Sequence, residues 1–223
     1  MIVNLDLNKL HLENNLLKSR DLDTLEKIIA RYNCEEEFRK RELALYRQKS
    51  GLALALEVQA SKPDLVIDFG CGGNLFKDYI DNLIGIDITP HPKVDIVDDI
   101  HNALNYFKPK SADWIFNFGV YQFQSNDGEK QTEIMSELIK DNGTIVAHCN
   151  RIAPGTLSIH DSEEYIKLLG AQYGLKTTEI DWSYTDTTKM TPEHLKIQKE
   201  VAKWSEFEMK DLISPRLTWR WNK

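Results

Sequence analysis

At 223 residues, 41% apolar and 28% charged, the chain can fill one sizeable core and is expected to form a single domain with an appendage rather than two independent cores. No apolar run approaches the length of a membrane span, and Met1 to Asp6 lacks the basic and apolar regions of a signal peptide, so a soluble cytoplasmic protein is expected. The net charge of −7 lies wholly within residues 61 to 150, where seven Lys/Arg face fourteen Asp/Glu, the reverse of a surface built to neutralise phosphates, so nucleic acid is disfavoured as a partner.

From Leu22 to Ala60 the chain has no proline, and apolar positions recur at helical spacing through Leu25, Ile28, Ile29, Phe38, Leu45, Leu52 and Leu56. Two or three helices are predicted, with a break near Asn33-Cys34 and a stop at Ser61-Lys62-Pro63. This gives an N-terminal helical extension over 1–61 and a second region over 62–223. Beyond Pro63 the pattern changes to short apolar runs of strand length: 65–69, 83–87, 94–97, 113–118 and 144–148. Ile134, Leu138 and Ile139 mark a helix expected to end at the glycine signal Asp141-Asn142-Gly143. A helix around Tyr165, Ile166, Leu168 and Leu169 stops at Gly174 and is followed by a strand over 175–182. Thr191-Pro192-Glu193 reads as the start of a further helix reaching about Leu212, and Arg216 to Trp221 alternates as a last strand. Strands alternating with helices predict an α/β fold, a mostly parallel sheet covered on both faces.

The cysteines, Cys34, Cys71 and Cys149, are odd in number and widely spaced, which predicts a reducing compartment and no disulfide framework. No C-x-x-C or H-x-x-x-H spacing occurs, so no metal site is proposed.

The densest chemical signal is Val66-Ile67-Asp68-Phe69-Gly70-Cys71-Gly72-Gly73-Asn74, a strand running into a glycine turn. Glycines let a backbone turn tightly and approach a ligand closely, and a helix starting there would point its N–H groups inward. Asp68 lies two residues before the first glycine. Asp87 ends the next strand, about twenty residues on, where a carboxylate can accept both hydroxyls of a ribose. Asp98 or Asp99 follows the third strand, within reach of an exocyclic amine. Each has a plainer reading as well: a ligand-free turn, a turn residue before Thr89-Pro90, and a cap on the helix at His101.

This constellation resembles the class I S-adenosylmethionine-dependent methyltransferases over about residues 62 to 150. Asp68 to Gly72 is similar to that family's first motif, Leu83 to Asp87 to its second, Val97 to Ile100 to its third, and Asp113 to Asn117 to the fourth-strand motif. Leu138 to Ile145 resembles the helix-turn-strand usually written Lys-Pro-Gly-Gly. Asp141-Asn142 stands in for the Pro-Gly pair there, in a turn where both residue types tolerate left-handed backbone. Asn74 stands where many members carry a third glycine, and the first helix has room to be only short.

The resemblance implies a Rossmann-like, doubly wound, seven-stranded mostly parallel sheet and S-adenosylmethionine as cofactor. It implies that the Gly70, Cys71 and Gly72 backbone packs on the ribose and methionine part and that Asp68 orients the amino group. Asp87, with Ile88 beside it, would hold the ribose, Asp99 would contact adenine N6, Ile100 would cover the ring, and the Asn117 carbonyl would receive the ammonium. For chemistry it points to strand ends, where His148 is the foremost candidate base. Tyr121 is the second catalytic candidate, with core or pocket wall as its plainer reading. Further strand-end candidates are Gln122, Asn150 and His160-Asp161.

No Asn-Pro-Pro-Tyr follows the fourth strand and no Pro-Cys nucleophile occurs, so a small molecule, or else a protein side chain, is the expected methyl acceptor. Tyr32, Tyr46 and Arg47 with the insert from Trp182 to Trp204 are the expected acceptor lid. Two competing readings remain, an NAD(P)-binding oxidoreductase and a non-catalytic S-adenosylmethionine-binding protein. The nicotinamide fingerprint wants glycine or alanine at Leu75.

Overall fold

The computed structural model describes residues 52–118, 120–121, 125–149, 159–183 and 216–223. Their elements are α1 (Leu52–Ala60), β1 (Val66–Phe69), β2 (Leu83–Asp87), β3 (Ile96–Val97), β4 (Ala112–Phe118), α2 (Asn126–Leu138), β5 (Ile139–Cys149), α3 (Ile159–Gln172), β6 (Lys176–Ser183) and β7 (Arg216–Asn222), with short 3₁₀ turns at Leu75–Asp78 and Ile100–Asn105. One seven-stranded sheet runs in the order β3-β2-β1-β4-β5-β7-β6. The first five strands pair in parallel, and β7 inserts antiparallel between β5 and β6. The predicted break near Asn33-Cys34, the 1–51 part of the extension, the 191–212 helix, Gln122 and Asn150 lie outside the described residues.

Why these segments become these elements follows from their side chains. All four residues of β1 are buried because helices cover both of its faces. On one face α1, built from strong helix formers in Leu-Ala-Leu-Ala-Leu-Glu-Val-Gln-Ala, sets Leu54, Ala55 and Val58 against Val66, Ile80, Leu83, Phe116 and Val146. It ends where Lys62 turns to a positive φ of 52° just before Pro63. On the other face α2 and α3 cover Ile67, Ile115 and Ile145, together with Trp219 and Trp221 of β7. Those two indoles are fully buried and meet edge to face at 5.5 Å. Arg220 points to the opposite face of β7, where its guanidinium grips Glu57 of α1 through two bonds of 2.7 and 2.8 Å and lies 3.1 Å from Glu179 of β6. Helix α1 is thereby fastened across the sheet to its antiparallel edge.

The start of α2 is as the chemistry of caps dictates: Ser125 accepts the Gly128 N–H at 3.1 Å, and Asp127 and Glu129 occupy the first turn. Its end differs from expectation. The helix stops at Leu138, and Ile139 is already extended and paired with Ala112, so Asp141-Asn142-Gly143 belongs to β5. Neither Asp141 nor Asn142 adopts a positive φ. A register shift between Ala112 and Trp114 absorbs the extra residues, doing the work that the glycine turn was expected to do.

At the opposite edge from the carboxyl ends, Asp113 accepts the Asp64 and Leu65 N–H groups at 2.8 and 3.1 Å and the Lys140 ammonium at 2.7 Å. Burial pushes its pKa up, but Lys140 and the two backbone donors outweigh it and hold the carboxyl below its usual value. The stability this gives is complete above an unfolded pKa of about 3.9 and is lost as pH falls through the lower folded value. Asp113→Asn should therefore lower the melting temperature at pH 6 and narrow the gap to wild type as pH is taken down through 3, which melting curves over that range would measure.

Candidate functional site

The carboxyl ends of β1 to β5 converge, and the backbone there is held by its own acids. After Phe69, Gly70 and Gly72 take positive φ values of 66° and 53°, a region that side chains disfavour. The Gly70 N–H donates to the Ile86 carbonyl at 2.8 Å, and the turn closes when Gly72 N–H donates to Asp87 Oδ2 at 2.9 Å. Asp87 Oδ1 accepts the Thr89 N–H at 2.8 Å, so one buried carboxylate fixes both the glycine turn and the chain leaving β2. Ile88, half-buried, follows directly.

The turn does not open into a regular helix. Leu75–Asp78 is a single 3₁₀ turn, too short to carry an appreciable dipole, so the expected inward fan of helix N–H groups is replaced by loop amides. Asn74 is the residue that makes this possible. It is fully buried in left-handed backbone at φ 48° and ψ 49°, and its Nδ2 donates to the Lys93 carbonyl at 2.7 Å and to Asp95 Oδ2 at 3.2 Å. Asp95 also accepts the Gly85 N–H at 2.9 Å and pairs with Lys77. The third-glycine position thus carries a side chain that ties the loop to the segment before β3.

Cys71 lies beneath this turn with Val94 and Val97. Burial, followed by the carboxylates of Asp68, Asp87 and Asp95, holds its thiol well above the usual range, so it stays protonated and unreactive. Asp68 is buried on β1, level with Gly85 of β2 and Phe116 of β4.

After β3, Asp98 and Asp99 divide the work. Asp98 accepts from the Asp99 N–H at 2.7 Å, from Asn102 Nδ2 at 3.0 Å and from the Tyr106 hydroxyl. Burial, with Asp98 adding to it, raises the Tyr106 pKa. Asp99 caps the 3₁₀ turn Ile100–Asn105 through the His101 N–H at 2.9 Å, with Ile100 buried next to it. The same Oδ1 lies 2.6 Å from His101 Nδ1, while His101 Nε2 lies 2.9 Å from Asp127 Oδ1 at the start of α2. Asp127 Oδ2 accepts from Gln131 at 2.6 Å, and Gln131 Oε1 accepts from Asn117 Nδ2 at 2.8 Å. A string of side chains therefore joins the third-strand acid to the end of β4. Sequence reading named its two ends but not its middle; the Asp-x-His spacing at 99–101 was a local signal, whereas nothing local points from His101 to Asp127.

Asn117 is fully buried and directed at α2, and its Oδ1 has no hydrogen-bond partner among the described residues. His148, buried, ends β5 beside Phe118 and Thr218, with Nδ1 3.1 Å from Thr218 Oγ1 and its ring edge-on to Phe118 at 6.2 Å. Phe118 in turn stacks on Phe116 and tilts against Phe76. Tyr121 is placed in the core instead: its hydroxyl is bonded to Thr132 Oγ1 at 2.7 Å, its ring lies edge to face on Trp219 at 5.0 Å, and burial raises its pKa. A phenol so committed packs the sheet rather than facing a reactant, which is the plainer of its two readings.

No protein-family model matches the chain, and no curated protein does. Solved structures do. A methyltransferase from Archaeoglobus fulgidus described as S-adenosylmethionine-dependent is 16% identical, with a TM-score of 0.52 over 83% of this chain and 94% of its own. The 1,6-didemethyltoxoflavin-N1-methyltransferase of Burkholderia thailandensis, solved with bound 1,6-didemethyltoxoflavin and S-adenosylhomocysteine, is 12% identical, with a TM-score of 0.51 over 83% of this chain and 87% of its own. The [4+2]-cyclase SpnF is 14% identical, with a TM-score of 0.55 over 77% and 79%. Taken with the 3-2-1-4-5-7-6 sheet, these likenesses give the chain the class I S-adenosylmethionine-dependent methyltransferase fold.

Proposed function

We propose that the protein is a cytoplasmic S-adenosylmethionine-dependent methyltransferase that acts on a small-molecule acceptor. The observation that carries this reading is the Asp87 carboxylate, buried at the end of β2 and accepting the Gly72 N–H of a positive-φ turn. A carboxylate at the end of the second strand, beside a turn that a ligand can approach closely, suits the paired hydroxyls of a ribose. The orphaned Asn117 Oδ1 suits a cationic amine, and the side-chain-free backbone at Gly70 and Gly72 suits close contact with a ligand. Asp68, Cys71, Ile88, Asp99 and Ile100 complete the cofactor-facing set. An NAD(P) oxidoreductase is disfavoured because the dinucleotide fold orders its strands 3-2-1-4-5-6, whereas here an antiparallel β7 separates β5 from β6.

The cofactor supplies, when bound, an electrophilic methyl on a sulfonium that departs as a neutral thioether. The chain's own contribution is alignment, exclusion of water and, for an acceptor that must lose a proton, a base. His148 is the base proposed, its Nδ1 oriented by Thr218, at the end of a strand that adjoins the glycine-turn strands through β4. The aromatic side chains of Phe76 and Phe118 on that face, with the part of the extension that precedes α1 as lid, would shield the transfer from water. His148→Ala should lower kcat about 100-fold or more while changing the Kd for S-adenosylmethionine less than about threefold; loss of both to the same degree would assign His148 to structure.

The likeness to a cyclase keeps a second reading in play, since a shared fold does not fix a reaction. Calorimetric titration with S-adenosylmethionine, S-adenosylhomocysteine and NAD, followed by a labelled-methyl acceptor screen, separates the readings. Binding of the first two with transfer of label supports a methyltransferase. Binding of NAD alone would overturn it, and binding of the first two without transfer to any acceptor favours a protein that uses the cofactor for something else.

A further inference from the structure

We infer that His101 is a positioning residue that aims the Asp99 carboxylate at the exocyclic amine of the adenine ring, through the bridge it forms between Asp99 and Asp127. The inference rests on the cofactor reading above. Asp99 Oδ1 already takes two bonds, from the His101 N–H at 2.9 Å and from the His101 ring at 2.6 Å, and Oδ2 has no hydrogen bond among the described residues. Both contacts on Oδ1 come from one residue, so they set the rotation of the carboxylate as well as its place. Oδ2 is then the oxygen presented to a ligand.

The imidazole could not hold that orientation from a freely rotating side chain. Its far nitrogen is 2.9 Å from Asp127 Oδ1, and Asp127 is itself fixed in the first turn of α2 by Gln131 at 2.6 Å. Each ring nitrogen thus lies within hydrogen-bond distance of a carboxylate oxygen, one on either side of the imidazole. The ring therefore connects the adenine-side acid to a long helix packed on the sheet, and along Gln131 to Asn117 at the end of β4. A cap alone would need only the backbone N–H; the two ring contacts are surplus to capping and are accounted for by aiming Oδ2.

The readout is discrimination at one position of the base. S-inosylhomocysteine carries a carbonyl where S-adenosylhomocysteine carries the amine, so it cannot donate to Asp99 from the exocyclic position. Calorimetry on the full chain should show wild type preferring S-adenosylhomocysteine. His101→Ala should lose about five- to tenfold in that affinity, with little change for the inosine compound. His101→Asn, whose amide can reproduce the ring Nδ1 contact with Asp99, should recover most of the preference. His101→Gln, whose amide reaches toward Asp127 instead, should not. An unchanged ratio between the two ligands in His101→Ala and His101→Gln, or a wild type that binds S-adenosylhomocysteine without preferring it, would overturn the inference and leave the cofactor reading standing. A wild type that binds neither ligand would remove the cofactor reading and the inference with it.

Discussion

Asp87→Ala is expected to weaken S-adenosylmethionine binding at least about 100-fold and to destabilise the protein at the same time. The two effects have separate origins. Affinity falls because the acceptor proposed for the ribose hydroxyls is gone. Stability falls because the Gly72 and Thr89 N–H groups, which donate to Asp87 at 2.9 and 2.8 Å, lose a charged acceptor. Each such bond contributes on the order of 1.5–3 kcal/mol, reduced where water can replace it. Asp87→Asn separates them, because its single carbonyl oxygen can keep one backbone bond while the NH2 group turns a donor toward the other amide. Calorimetric affinity and chemical denaturation on the three proteins should place Asp87→Asn between wild type and Asp87→Ala in stability. An Asp87→Ala protein that bound the cofactor as tightly as wild type would remove the ribose assignment.

How much of this was legible in the sequence depends on the range of the interaction concerned. The strands of the parallel half were readable because each is a short apolar run closed by glycine or an acid, and fully buried strands leave that trace. The glycine turn was readable for the same local reason: Gly70 and Gly72 need backbone that other residues avoid. The end of α2 was misread because Asp141-Asn142-Gly143 has the composition of a helix stop, yet pairing of Ile139 with Ala112 draws the chain into β5 first. Tertiary pairing overrode a local signal. Asp99 shows a different limit. Its capping role is local and was foreseen as one of two readings, whereas its link through His101 to Asp127 crosses to another element and leaves no mark in spacing. Tyr121 was placed correctly at a strand end, but which way its ring would turn depended on Trp219 and Trp221, about a hundred residues away in sequence.

Gly85→Ala should be the most damaging small substitution in β2, for a reason that no turn geometry explains. Gly85 has ordinary strand backbone and needs no left-handed freedom, but a Cβ on it would lie 2.5 Å from Asn74 Nδ2 and 2.6 Å from Cys71 Sγ. Both neighbours are fixed: Asn74 by the Lys93 carbonyl and Asp95, and Cys71 by burial under the glycine turn. Displacing Asn74 breaks its hold on the segment before β3 and moves the loop whose Gly72 N–H must reach Asp87, so stability should fall by about 1–3 kcal/mol and cofactor affinity with it. Asn74 and Gly85 are thus complementary: the chain places a side chain where a third glycine often stands and removes one from the strand below. Asn74→Gly alone should also destabilise, through lost bonds to Lys93 and Asp95. Combined with Gly85→Ala it should cost less than the sum of the two, because the methyl then enters space the amide has vacated. A double-mutant cycle by denaturant unfolding should give a coupling of about 1 kcal/mol or more in the compensating direction. Strict additivity would mean that Cys71 alone sets the limit at Gly85, and Cys71→Ala in the Gly85→Ala background would then carry the rescue.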